Sequence, residues 1–388
     1  MSCLFRPPQV FLSCVVLALA LSSYAQTSTP VDILYLQQNS SILTYDVNPQ
    51  TADASEVGQP LAVDATYYSI IPAPNDHSLN ILWTDASNKE HLWVYDTETS
   101  GAPQAQPVQK LSLTSVWQFL ANPNGKFDFA LGRWMNSNGE YLENIRLFSV
   151  NPTTGTLTES PQVQAGYGPN YYFTAALFGF NPSGSELYDT WNVNFDGEAA
   201  SNYYSRTVNP NTGTLGPNVN LFAWDDWVSS DQVLLANNLI IDLSRPGQAP
   251  QPQSINIYPL VPNSTTPEIV CNTAMLAACG WAQGMALDPS GQYLFLTPTY
   301  PFLTSDNVTE VAKIDLATKQ IVNTGYSIPG SPQILFSGDG RLVYAVTLNY
   351  EGDSTVQIYK FDKTDGAVTP GGEISQPGLN NVTPAERQ

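Results

Sequence analysis

One turn is written twice in this chain, as NPTTGTLTE from Asn151 to Glu159 and as NPNTGTLGP from Asn209 to Pro217. Nearly everything between the copies differs. A turn recurs in this way where backbone geometry repeats and side-chain identity is free to drift. Each copy follows a stretch of alternating character, IRLFSV before Asn151 and YYSRTV before Asn209. Looser copies are ILTYDVNPQTADA (Ile42 to Ala54), LWVYDTETSGAP (Leu92 to Pro103), LIIDLSRPGQAP (Leu239 to Pro250), VAKIDLATKQIVN (Val311 to Asn323) and QIYKFDKTDGAVTP (Gln357 to Pro370). The count is seven units.

A second turn alternates with the first. FLANPNGKFDFAL (Phe119 to Leu131), FGFNPSGSELYDTW (Phe178 to Trp191), MALDPSGQYLFLT (Met285 to Thr297) and ILFSGDGRLVYAVT (Ile334 to Thr347) each place a Gly-containing turn between two apolar strands. IPAPNDHSLNILWT (Ile71 to Thr84) fits with the Gly lost, and WVSSDQVLLAN (Trp227 to Asn237) fits in shortened form. ILYLQQN, from Ile33, reads as the second strand of such a hairpin without its partner. Proline fixes one φ, Asn or Asp bonds the following backbone, and Gly supplies positive φ.

Two hairpins per unit make a four-stranded antiparallel sheet repeating at roughly 50 residues, the period of propeller blades. Outside the N-terminal segment no sustained 3.6-residue apolar stripe appears. The expected fold is therefore all-β: a seven-bladed β-propeller of four-stranded antiparallel blades. The NPxTGTL turn would join the third and outermost strands. Part of Gly378 to Arg387 would pair beside Asp32 to Gln37, closing the ring with N- and C-terminal strands and removing a sheet edge.

The first 25 residues read as a signal peptide: one Arg, an apolar run from Val10 to Leu21, and a small-residue site at Ser23-Tyr24-Ala25. The run is too short to span a membrane. Residues 26–388 are then one exported propeller domain, secreted or periplasmic, expected as a monomer with no membrane span. A long insertion is expected from Pro259 to Cys279. Cys3 and Cys14 leave with the signal; Cys271 and Cys279 remain and are expected to form a disulfide closing a small loop.

The formal net charge is −20, from 14 Lys+Arg against 34 Asp+Glu. That argues against nucleic-acid partners, anionic membranes and highly phosphorylated substrates, which all need clustered cations. Asn39, Asn263, Asn307 and Asn381 begin Asn-x-Ser/Thr triplets, which matter in a host that glycosylates its exports.

ILTYDVNPQTA, LFSVNPTTGTLTE and LDPSGQYLFL resemble the repeats of the lactonase-type seven-bladed propeller family. That family includes 6-phosphogluconolactonase-like proteins and surface propellers with Tyr-Val-Thr-Asn (YVTN) repeats. The resemblance spans essentially the whole mature chain and is specific for architecture, since its motifs are turns and strands. It implies a lactone hydrolase or a lactonising isomerase; related muconate-cyclising propellers line the channel with His, Arg and Glu. This chain has only His77 and His91. His77 is expected in a hairpin turn and His91 at the start of a third strand.

In such a propeller the ligand occupies one mouth of the central channel, where the innermost strands begin. Here those segments are DATYYS, TSVWQF, GPNYYFTA, FAWDDWVSS, CGWAQGMA and PGSPQIL. Their aromatic residues are either blade-to-blade packing or a ligand-contacting wall, so Tyr68, Trp117, Tyr172, Trp224, Trp227 and Trp281, with Gln333, are the ligand-binding candidates. A carbohydrate stacked on a ring is the natural small molecule. The paired carboxylates Asp225 and Asp226 are a solvated turn, an acid/base, or part of a calcium site, for which one short segment has too few oxygens. Arg133 and Arg146 fall in one blade, and Arg133 either approaches a channel-side carboxylate or makes a surface salt bridge; Arg206 and Arg341 are strand or turn residues. No metal or other cofactor is otherwise implied. Two functional readings result: a binding scaffold for a small molecule or an extracytoplasmic protein, and a lactonase-like enzyme with Asp225 or Asp226 as acid/base and Arg133 as oxyanion partner.

Overall fold

The computed structural model describes residues 31–387 apart from 64–67, 75–76, 88, 98–99, 114–115, 136–140, 168–172, 196–197, 225–227, 237–238, 247–253, 265, 273, 281, 299–307 and 350–352. The repeated turn explains itself first. The Asn151 side-chain oxygen accepts the backbone N–H groups of Thr153 and Thr154 at 2.9 and 3.2 Å. Asn209 does the same for Asn211 and Thr212 at 2.9 and 3.2 Å. Gly155 and Gly213 close the two turns at φ +67° and +71°, a conformation that favours glycine.

Such turns arrange the chain into seven antiparallel sheets around an axis. Blade one holds β1 (Val31–Gln38), β2 (Ser41–Val47), β3 (Ala54–Glu56) and β4 (Leu61–Ala62). Blade two is β5 (Tyr68–Pro72), β6 (Ser78–Thr84), β7 (Glu90–Asp96) and β8 (Gln109–Leu113). Blade three is β9 (Val116–Ala121), β10 (Phe127–Met135), β11 (Tyr141–Val150) and β12 (Leu157–Tyr167). Blade four is β13 (Phe173–Phe180), β14 (Glu186–Phe195), β15 (Glu198–Thr207) and β16 (Val219–Trp224). Blade five is β17 (Val228–Ala236), β18 (Leu239–Pro246), β19 (Ser254–Pro259) and β20 (Ile269–Cys271). Blade six is β21 (Ala282–Leu287), β22 (Tyr293–Pro298), β23 (Val308–Asp315) and β24 (Gln320–Pro329). Blade seven is β25 (Gln333–Phe336), β26 (Leu342–Thr347), β27 (Asp353–Phe361) and β28 (Val368–Pro377), and β29 (Leu379–Arg387) follows.

The last strand does not belong to blade seven. β29 pairs with β1, from Val31 opposite Arg387 to Gln38 opposite Leu379, and becomes the innermost strand of blade one. This is the closure anticipated from the half-missing first hairpin. The first strands of neighbouring blades approach one another around the axis: β29 and β5, β5 and β9, β9 and β13, β17 and β21, β21 and β25.

Between the sheets lie apolar seams. Leu239, Ile241, Ile255, Leu294 and Leu296 fill the seam of blades five and six. Tyr293, Phe295, Val343 and Phe361 fill that of six and seven. Burying such a side chain contributes about 1.5–3 kcal/mol. Glycine also lets the turns of adjacent blades meet. Gly184, at φ +67°, has Asn122 of the preceding blade where a Cβ would stand, 1.8 Å from its side-chain oxygen. Asn122 Nδ2 donates to the Gly184 carbonyl at 3.0 Å.

Blade five departs from the expected frame. WVSSDQVLLAN is not a shortened hairpin; Val228–Ala236 is one innermost strand. The register shifts between Ser230 and Gln232, so Asp231 is taken up in a bulge where a turn was expected. The hairpin bend comes later, because Ala236 stands opposite Leu239. LIIDLSRP is consequently the second strand, and its outer turn falls after Pro259. The stretch from Pro259 to Cys279 holds the outermost strand β20 as well as a connection.

β20 has three residues, and it is tied down covalently. Cys271 at its end is bonded to Cys279 in a short 3-10 helix, Ala277–Gly280, with Cα atoms 5.7 Å apart and both residues buried. Reduction, or Cys271→Ser with Cys279→Ser, is expected to lower unfolding free energy by about 2–3 kcal/mol, measured by denaturant titration. Deleting residues 379–387 strips blade one of its inner strand and opens the ring. Loss of the cooperative melting transition by calorimetry is the expected result, whereas a normal transition would show that closure is dispensable.

Candidate functional site

The seven first strands begin at Tyr68, Val116, Phe173, Val228, Ala282, Gln333 and Leu379, all on one face of the ring. The six mouth segments expected from the sequence lead into six of these starts. The seventh, at Leu379, was missed because the closing strand lies at the other end of the chain from its blade.

Among the described residues this mouth is polar but uncharged. Ser69 and Gln333 are exposed, and Gln118 and Asn381 are half-buried. Two residues deeper on three of these strands come Ile71, Leu120 and Leu335, half-buried and packed against the seams. A rim of amides and a hydroxyl therefore gives way to apolar side chains. Such a surface can hydrogen-bond a neutral polyol or a peptide and offers little to a phosphate.

Tyr68 is only 8% exposed. It lies in the seam between blades one and two, and its hydroxyl donates to the Ser41 carbonyl at 2.8 Å. Burial pushes the phenol far above its ordinary range. Both its ring and its polar tip are occupied in joining two blades. Gln333 opens β25 and stands opposite Val346. Tyr172, Asp225, Asp226, Trp227 and Trp281 lie outside the described residues, as do the side chains of Trp117, Trp224 and Arg133. The backbone of Arg133 stands opposite Glu143 on β11, and Trp224 ends β16 opposite Ser201.

Several of the described ionisable groups serve the framework. His91 opens onto Asp85 through a 3.0 Å contact and stacks on Trp83 with ring centroids 4.4 Å apart. The His91 hydrogen bond is the main cause that holds the Asp85 carboxyl down at about 2. Arg146 pairs with Glu159 at 3.1 Å, and Arg341 pairs with Asp339 two residues away. Arg206 meets Asp189 at 2.5 Å, with the carboxylate fully buried. His77 is exposed in its turn. No group of three or more His, Cys, Asp or Glu with metal-binding geometry occurs among the described residues.

No protein-family model matches the sequence, and no curated protein does. Solved structures do match. A Bacteroides uniformis protein, provisionally named a 6-phosphogluconolactonase, aligns with TM-score 0.58 at 12% identity, over 92% of this chain and 99% of its own. A Bacteroides fragilis protein of the same provisional name aligns with TM-score 0.58 at 12% identity, over 93% and 99%. The chain shares the propeller fold of these structures. At such identity the likeness speaks for the architecture alone. Among the described residues no helix is long and apolar enough to cross a membrane, and the Cys271–Cys279 bond fits an oxidising compartment.

The Asp189–Arg206 pair is the most buried ion pair among the described residues, and its removal is a test of framework against function. Arg206→Met leaves a buried carboxylate without its cation and is expected to cost about 3–5 kcal/mol by denaturant unfolding. Asp189→Leu combined with Arg206→Met is expected to regain most of that loss, as a structural pair would.

Proposed function

We propose that this protein is an exported binding propeller that holds an uncharged ligand, a carbohydrate or lactone, at the mouth where the first strands begin. A segment of an extracytoplasmic protein is the other occupant that this rim would suit. The carrying observation is the distribution of charge: among the described residues the rim is amide and hydroxyl, while Arg146, Arg206, Arg341 and His91 are each engaged with a carboxylate. Neutral hydrogen-bonding groups over an apolar throat favour binding by orientation and shape. Among the described residues of that rim no side chain is a candidate to activate water or stabilise an oxyanion. Export is supported by the N-terminal segment and by the disulfide.

Lactone hydrolysis is the second reading, favoured by the provisional names of the structural neighbours. It places the chemistry on Asp225 or Asp226 as acid/base and Arg133 as anion partner.

Calorimetric titration against a panel of neutral sugars and lactones tests both. Gln333→Ala is expected to weaken the best ligand by roughly three- to tenfold, the worth of one neutral hydrogen bond, without lowering Tm. Turnover of any lactone by the native protein, abolished by Asp225→Asn, Asp226→Asn or Arg133→Met, would replace the binding reading with the enzymatic one.

A further inference from the structure

Two polar side chains enter one apolar seam from opposite walls. Asn80 lies on β6 of blade two and Asp128 on β10 of blade three, each 1% exposed. Alternation puts Asn80 on the same side of its strand as Leu82, and Asp128 on the same side as Ala130. Leu82 and Ala130 belong to the cluster that fills the seam between these blades, with Leu92, Val94, Phe119 and Phe148. Both polar residues also stand at the same end of the seam. Asn80 is opposite Ile71, one residue from the end of β5, and Asp128 is opposite Ala121, the last residue of β9.

Their hydrogen bonding is incomplete. One Asp128 carboxyl oxygen, Oδ1, accepts the Asn122 N–H at 3.2 Å. Oδ2 of Asp128 and both amide atoms of Asn80 have no protein partner. A buried donor and two buried acceptors left in this way cost several kcal/mol together, on the order of 1–3 each.

We propose that Asn80 and Asp128 are joined through one internal water into a proton-operated latch between blades two and three. With Asp128 protonated on Oδ2, a water can accept from that O–H and from the Asn80 amide N–H and donate to the Asn80 oxygen, within the two to four polar partners that a buried water requires. A metal cation would find two oxygens and leave the amide N–H groups orphaned. In the neutral state of Asp128 the whole group is satisfied; on ionisation the proton passes to solvent and a charge stays behind among Leu82, Ala130 and Phe148.

The charged groups on the surrounding strands do not compensate that charge. Arg146 on β11 and Glu159 on β12 pair with each other at 3.1 Å. Asp96 on β7 receives a hydrogen bond from Gln104 at 3.1 Å. Lys126 is exposed in the turn before β10, and Glu90 stands at the far end of β7. Consistent with this, burial pushes the Asp128 carboxyl from the ordinary 3.8 up to about 7, with the Asn122 N–H acting weakly the other way. Because the folded chain keeps a proton that the unfolded chain releases, stability is full below pH 3.8 and declines as pH rises to about 7.

Melting curves of the full chain across this range test the latch, with Asp128→Asn and Asn80→Leu as variants. The native Tm is expected to fall on going from about pH 5 to 8, and Asp128→Asn to flatten that slope. Asn80→Leu removes the water's second wall and is expected to steepen it. If the variants fail to fold, the native protein still reports. Its infrared band from a protonated carboxylic acid should vanish on titration through neutral pH. Amide exchange in β6 and β10 should accelerate over the same interval relative to β22 and β26. A slope unchanged in Asp128→Asn, or no protonated-acid band in the native protein at pH about 5, overturns the proposal. A rise in native Tm at pH about 8 on adding Ca²⁺ or Na⁺, absent in Asp128→Asn, overturns the water and establishes a cation there.

Discussion

The pairing of β29 with β1 is the constraint on which the ring depends. Each blade buries its two faces only because a neighbour stands on either side, and without closure two of the fourteen faces would meet water. Backbone hydrogen bonds supply the specificity of that join, since the eight-residue ladder fixes which rung of β29 meets which rung of β1. The seams supply most of the energy. Leu34, Tyr344 and Ile358 meet across blades one and seven, and Ile33, Tyr35 and Ile81 across blades one and two, so the closing blade is gripped from both sides.

Polar groups inside the seams are placed with corresponding care. Tyr68 spends its hydroxyl on Ser41 and Tyr35 on Gly101, each reaching into the adjoining blade. Asn122 binds both its own turn and the turn of the following blade. Arg206 neutralises Asp189. Arg206, buried against Asp189, is thereby unavailable to a ligand. Among the described residues, the rim of the channel is left to neutral groups.

Architecture was legible because it is written in turns. Asn151 and Asn209 make the same two backbone bonds, so their neighbourhoods must share Asn, Thr and Gly at fixed spacing. Blade five misled for the converse reason. A bulge at Asp231 disturbs strand alternation as a turn would, and nothing in SSDQ distinguishes the two. The candidate site was less legible. An aromatic at the start of an inner strand has the same signature whether it faces the channel or a seam, and Tyr68 faces a seam. Which way a side chain leaves an inner strand depends on sheet twist and on the neighbouring blade, neither of which a single strand's residues encode. Buried Asp128 and Asn80 carried no signal at all, because Asp in a turn-proximal strand usually means solvent.

The closing strand also has a temporal consequence. β1 and its partner are separated by the six intervening blades, so a chain that emerges from its N-terminus displays the inner edge of β1 until all of them have been laid down. During that interval an unpaired strand rich in Ile, Leu and Tyr is open to other chains. Passage across a membrane in an unfolded state would postpone the hazard to the far side, where a partner that shields β1 until the tail arrives would decide between a shut ring and an aggregate.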